Sequence, residues 1–99
     1  MIEYSGIFFD WDDTKEVMNK RKHGISFNEA MTVFADEHAQ IYSDEEHSDD
    51  EERFVLIGCS ENEQLLMVCH CYRESETVTR LISARKATRD ERKKYENGG

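Results

Sequence analysis

The chain has 99 residues, 37% of them apolar and 35% charged, enough for one modest core and too few for a large doubly wound sheet or a second domain. It has no run of eighteen apolar residues and no charged-then-apolar leader, which predicts a soluble cytoplasmic protein without a membrane partner. The net charge of −9 argues against general nucleic-acid binding but is unevenly spread: residues 1–79 carry 6 basic and 19 acidic side chains (net −13), residues 80–99 carry 7 and 3 (net +4).

In chain order, "GIFF" at 6–9 is a possible first strand. A helix follows over about 12–23: Asp12 or Asp13 can cap it, Glu16 gives a capping-box-like pattern, and Gly24 ends it. "SFNEAMTVFAD" repeats this grammar, with Ser26 three residues before Glu29 and with Phe27, Ala30, Met31 and Phe34 on one helical face. Beyond Asp36 the period changes to two. "AQIYS", "RFVLIGCS", "LLMVCHCYR" and "TVTRLISARK" read as four strands joined by short polar connectors, an antiparallel meander. "ATRDERKKYENGG" is a final helix capped at Thr88 with Glu91 at the capping-box position. The expected fold is α+β: an antiparallel sheet of four or five strands, two N-terminal helices and one C-terminal helix, in a single domain over 1–99.

Asp10-Trp11-Asp12-Asp13-Thr14 fits the D-x-D-x-T pattern of haloacid dehalogenase-type phosphatases. That chemistry needs a downstream Lys and an acidic pair on parallel strand tips; "SDD" at 48–50 lies instead in a polyacidic run among expected hairpins, and the chain is too short. Cys59, Cys69 and Cys71 are an odd number, so reduced thiols are expected. "CHC" at 69–71 puts the two thiols on one strand face and His70 on the other, which disfavours a zinc site; no metal and no cofactor are expected.

The strand "TVTRLISARK" carries the most chemistry. Strict alternation puts Val78, Arg80, Ile82, Ala84 and Lys86 on one face and Thr77, Thr79, Leu81, Ser83 and Arg85 on the other, so Arg80 and Arg85 need not serve the same site. Each guanidinium suits a phosphate, or else a structural ion pair. In the last helix Arg89, Arg92 and Lys93 share a side and Tyr95 projects from another. The run 43–52 holds seven acidic residues and reads as a solvated loop. Within it His47 can exchange protons, with a pKa raised by its neighbours, and Glu52 adjoins Arg53 at a strand start. "KRKHG" at 20–24 complements the helix dipole, with phosphate contact by Lys22 or His23 as the sharper reading.

Three blocks, "FDWDDTKEVMNKRKHGISFNEA", "HSDDEERFVLIG" and "RLISARKATRDERKKY", resemble in order and spacing the motifs of the BrnT family of bacterial type II toxins. The resemblance runs from about residue 8 to residue 95. It implies a compact RelE-like ribonuclease fold, metal-independent RNA cleavage that arrests growth, neutralisation by a BrnA-type antitoxin, and contact with operator DNA only through that antitoxin. Lys22, His23, His47, Glu52, Arg53, Arg80, Ser83, Arg85 and Tyr95 fall on family positions. The roles this implies are a phosphate grip by Arg53, Arg80 and Arg85, proton exchange by Glu52 or His47, and substrate binding by Lys22, His23, Ser83 and Tyr95. The competing reading is a catalytically inactive interaction or co-repressor module of a toxin–antitoxin complex.

Overall fold

The computed structural model describes residues 1–47 and 51–98, with His47 described through its backbone alone. The "SDD" triplet and the side chain of His47 therefore lie outside the described residues. The elements are β1 (Ile2–Tyr4), β2 (Ile7–Asp10), α1 (Asp13–His23), α2 (Phe27–Thr32), β3 (Gln40–Ser43), β4 (Phe54–Cys59), β5 (Leu65–Arg73), β6 (Val78–Lys86) and α3 (Arg89–Glu96). Two short 3-10 turns, Val33–Ala35 and Glu45–His47, follow α2 and β3.

Local chemistry explains the helix ends. Asp12 caps α1 by accepting from the Lys15 N–H at 3.1 Å, and Gly24 closes it in the left-handed conformation at φ 73°, its own N–H donating to Lys20 O at 2.9 Å. Ser26 caps α2 from the Glu29 N–H at 3.1 Å, but the box is not reciprocal: the Glu29 carboxylate accepts from Ser60 Oγ at 2.7 Å and Gln64 Nε2 at 2.8 Å. Only at α3, where Thr88 and Glu91 each accept from the other's backbone, is the box complete. The second helix is shorter than its periodicity predicts, because its last turn tightens into 3-10 at Val33–Ala35.

The sheet corrects the expectation in two respects. It has six strands, in the order β1-β2-β6-β5-β4-β3, and it is mixed: β2 pairs with β6 in parallel and every other pair is antiparallel. The extra strand is β1, which turns into β2 through Ser5 and Gly6 at φ 53° and 82°, the positive pair of a tight hairpin. The parallel pair arises because the chain passes from the helices to the far edge and meanders back, bringing β6 alongside β2.

One face of the sheet packs Phe9, Leu56, Leu66, Val68, Leu81 and Ala84 against Ile25, Phe27, Ala30, Met31 and Val33. His70 also points into this core, fully buried with its ring 5.0 Å from that of Phe34, while Cys69 and Cys71 take the opposite face.

Two features of β6 decide what the other face carries. Along β5, Cys69 pairs with Ser83 and the next residue, His70, pairs with Leu81, so Ile82 is an extra residue in β6. This bulge resets the alternation. Arg80, Ser83 and Arg85 pair with Cys71, Cys69 and Met67, which all lie on one face, so Arg80 and Arg85 share a face contrary to strict alternation. The second feature is an edge. β2 ends where Asp10 pairs with Arg80, and beyond that point α1 lies beside β6. There Asn19, buried, takes the place of a strand: its Nδ2 donates to Ala84 O at 2.9 Å and to Ile25 O at 3.0 Å, and its Oδ1 accepts from the Ala84 N–H at 3.0 Å. The end of α1 is thereby fixed at the rim between the two faces.

Candidate functional site

On the face opposite the main core, a cleft of about 370 Å³ is lined by Lys22 and His23 from the end of α1, Arg53 just before β4 and Val55 within it, Met67 and Cys69 from β5, and Ile82, Ser83 and Arg85 from β6. Asp44, just after β3, completes the wall. The structure thus brings together Lys22, His23, Arg53, Ser83 and Arg85, residues far apart in the sequence. Asn19 delivers the α1 pair by holding the helix to Ala84, and the Ile82 bulge delivers Ser83 and Arg85 to the same face as Arg53.

Arg85 is held from behind by α3. Its Nη1 and Nη2 donate to Glu91 Oε1 and Oε2 at 2.8 and 2.9 Å, a bidentate pair. These bonds hold the Glu91 carboxyl down at about 2 and push the guanidinium pKa up, so both stay charged across the neutral range. Burial and the adjacent Asp44 charge push the Cys69 thiol up, which keeps it a neutral wall rather than a nucleophile.

Other nominated residues lie apart. Arg80 does not line the cleft; it sits further along the same face with its Nη1 3.5 Å from Asp10 Oδ2. Tyr95 is turned toward β4, its hydroxyl donating to Asp36 Oδ2 at 2.6 Å. Burial first, and then this bond, push the phenol pKa far above the neutral range. Burial alone would raise Asp36, but donation from Tyr95 and from the N–H groups of Cys59 and His38 outweighs it and holds the carboxyl below its usual value. Glu52 is exposed and does not line the cleft. Arg89, Arg92 and Lys93 are exposed on the outer side of α3.

Sequence reasoning missed Asp44. Its signal was hidden at the head of a run in which seven of ten positions are acidic, and it is the backbone bond from the Asp44 N–H to Arg53 O at 2.8 Å that brings it to the cleft beside β4.

The family model for the ribonuclease toxin BrnT of type II toxin–antitoxin systems matches residues 11–91. The chain belongs to the BrnT family. Among solved structures, the crystal structure of the ribonuclease toxin BrnT from Brucella abortus is similar in fold, with a TM-score of 0.64 and 21% sequence identity over 84% of this chain and 99% of that one. No curated protein sequence matches the chain. Membership of the BrnT family makes an antitoxin the partner class of this chain. No helix among the described residues is long and apolar enough to cross a membrane.

Proposed function

We propose that this chain is an active, metal-independent endoribonuclease whose cleft binds the scissile phosphate, that it acts in the cytoplasm as one toxin domain over residues 1–99, and that a BrnA-type antitoxin neutralises it. Contact with operator DNA then comes only through that antitoxin. The observation that carries the reading is the convergence of Arg53, Arg85, Lys22 and His23 on one cleft in a chain whose net charge is −9. Local cations of this density suit a phosphodiester, because they stabilise the charge that builds on its oxygens during displacement.

The division of labour follows from position. Arg53 and Arg85 grip the non-bridging oxygens, with Arg85 oriented by Glu91. Asp44, the carboxylate that lines the cleft, takes the proton of the ribose 2′-hydroxyl as its oxygen attacks phosphorus. His23 gives a proton to the leaving 5′-oxygen, so that one P–O bond forms, one breaks, and the products are a 2′,3′-cyclic phosphate and a 5′-hydroxyl. Lys22 and Ser83 complete the phosphate cradle. Arg80, outside the cleft, is assigned to the neighbouring strand surface and its Asp10 pair. In this reading Asp44 and His23 take the proton exchange expected of Glu52 or His47, and Tyr95 serves the packing of α3 rather than the substrate.

The test is growth after induction of the chain alone, with total RNA examined before and after, beside an Arg53→Ala, Arg85→Ala double variant and an Arg80→Ala variant. The expected result is growth arrest with RNA degradation, abolished in the double variant and retained in Arg80→Ala. Normal growth with intact RNA from soluble, folded protein would leave the inactive co-repressor module as the better reading.

A further inference from the structure

The cleft continues around the rim of the sheet. A second concavity of about 370 Å³ shares Lys22, His23, Ile82 and Ser83 with the first and adds Thr14, Lys15 and Met18 from the outer turns of α1. Four shared walls make the two a single groove. Lys15, Met18 and Lys22 stand at i, i+3 and i+7, so they form one stripe along the helix. Lys15 and Lys22 are about 10 Å apart along the axis, against about 3.4 Å of strand per stacked nucleotide.

The chemistry of this added half is distinctive. Met18 is 59% exposed, a large apolar side chain left in solvent beside Val17 on a mostly charged helix, and of the two only Met18 lines the groove, which Ile82 also faces. No carboxylate lines it among the described residues, in a chain with 22 acidic side chains, whereas two lysines do. Asn19, which also borders it, is buried with both ends of its carboxamide engaged by backbone, so it serves the fold of the rim. An apolar floor of Met18 and Ile82 flanked by cations, with the Thr14 and Ser83 hydroxyls in the walls, suits a base held by its face with its phosphate held by charge.

We infer that the α1 half of the groove, Lys15, Met18 and Ile82, is a subsite for the next RNA nucleotide along, beyond the two that flank the scissile phosphate. The base lies on Met18 and Ile82, and Lys15 holds its phosphate. This rests on the ribonuclease reading of the adjoining cleft. An RNA strand is favoured over a protein segment by the two lysines, by the lack of a carboxylate among the described residues lining this half, and by the continuity with the phosphate cleft.

The experiment compares purified wild type, Lys15→Ala and Met18→Ala on a dinucleotide and on an eight-nucleotide RNA. Both side chains are exposed and the Asp12 cap uses only the Lys15 backbone, so the variants retain the helix. On the longer RNA each variant is expected to raise KM about tenfold, in line with one lost stacking or phosphate contact, against less than twofold on the dinucleotide. For Lys15→Ala the slope of log kcat/KM against log salt on the longer RNA becomes shallower by about 0.7, one phosphate contact on a single strand. Wild-type parameters in both variants, or equal losses on both lengths, would overturn the subsite while leaving the ribonuclease intact. If wild type neither binds nor cuts either RNA, the ribonuclease reading falls and the subsite with it. Variants that lose inhibition by the antitoxin without any length-dependent change would give the groove to the antitoxin and overturn the RNA assignment.

Discussion

His70 makes the stability of this fold sensitive to mild acid, and the size of the effect follows from its surroundings. The imidazole is fully buried, with rings of Phe34, Phe54 and Tyr72 at centroid distances of 5.0, 6.1 and 5.3 Å. Nδ1 lies 3.2 Å from Val68 O, which can only accept, so Nδ1 carries the proton; Nε2, 3.2 Å from the Tyr72 hydroxyl, accepts. Burial lowers the pKa from 6.5 to about 4, a change the Val68 carbonyl only partly opposes. Above pH 6.5 the ring is neutral in both folded and unfolded chains. As the pH falls below that value, the unfolded chain binds a proton that the folded one refuses, and stability drops until about pH 4, where the loss saturates at about 3 kcal/mol. At pH 5 the loss is about 2 kcal/mol. Urea unfolding at pH 7.5 and pH 5.0 reads this as a midpoint lower by about 1–2 M in the acid. His70→Phe keeps an aromatic ring in the cluster and removes the titration, so its midpoint should move less between the two pH values by that amount, whatever its stability at pH 7.5. An identical acid-induced loss in wild type and His70→Phe would refute the assignment of the effect to this residue.

Three further outcomes follow from single contacts. Asn19→Ala removes the three bonds joining α1 to Ala84 and Ile25 and leaves their buried backbone groups unpaired; we expect a loss of about 3–4 kcal/mol in chemical unfolding, and a loss below about 1 would show that water replaces the carboxamide. Gly58→Ala brings a Cβ within 2.9 Å of Val33 Cγ1 and 3.0 Å of both Ala39 Cβ and Asp36 Oδ2, so it should cost about 1–3 kcal/mol by the same measurement, and an unchanged midpoint would mean that β4 shifts freely. Glu91→Gln retains a capping-box residue but breaks the ion pair with Arg85; because the two side chains are 42% and 25% exposed, the cost in a thermal melt should stay under about 1 kcal/mol, and a much larger loss would mark the pair as effectively buried.

Local structure was legible in the residues because it is decided within a turn or two. Ser26 and Thr88 each accept from a backbone N–H three residues on and Gly24 takes the left-handed conformation that ends α1, as the sequence pattern predicts. Of the two candidate caps of α1 it is Asp12 that accepts, and Glu16 accepts from the Phe27 N–H instead of closing a box with Asp13. The opposed faces of Cys69 and His70 follow equally from the pleat. The β1 hairpin was visible in principle, as a Ser-Gly pair between two apolar stretches, but a strand of three residues gives periodicity little to act on. Long-range pairing decided the rest. Whether the meander ended beside β2, and so in parallel, depends on which edges remain open after the helices pack, a property of the assembled sheet. The bulge at Ile82 depends on the registers of β5 and β6 together, since no alternation within β6 shows which of its residues lacks a partner. That one extra residue moved Arg85 onto the face of Arg80, and the edge left by the short β2 received α1 with Lys22 and His23. The residue types for a phosphate cleft were therefore present in the sequence, while their convergence required the tertiary structure, because it turns on a register shift and an uncovered strand edge that no local pattern encodes.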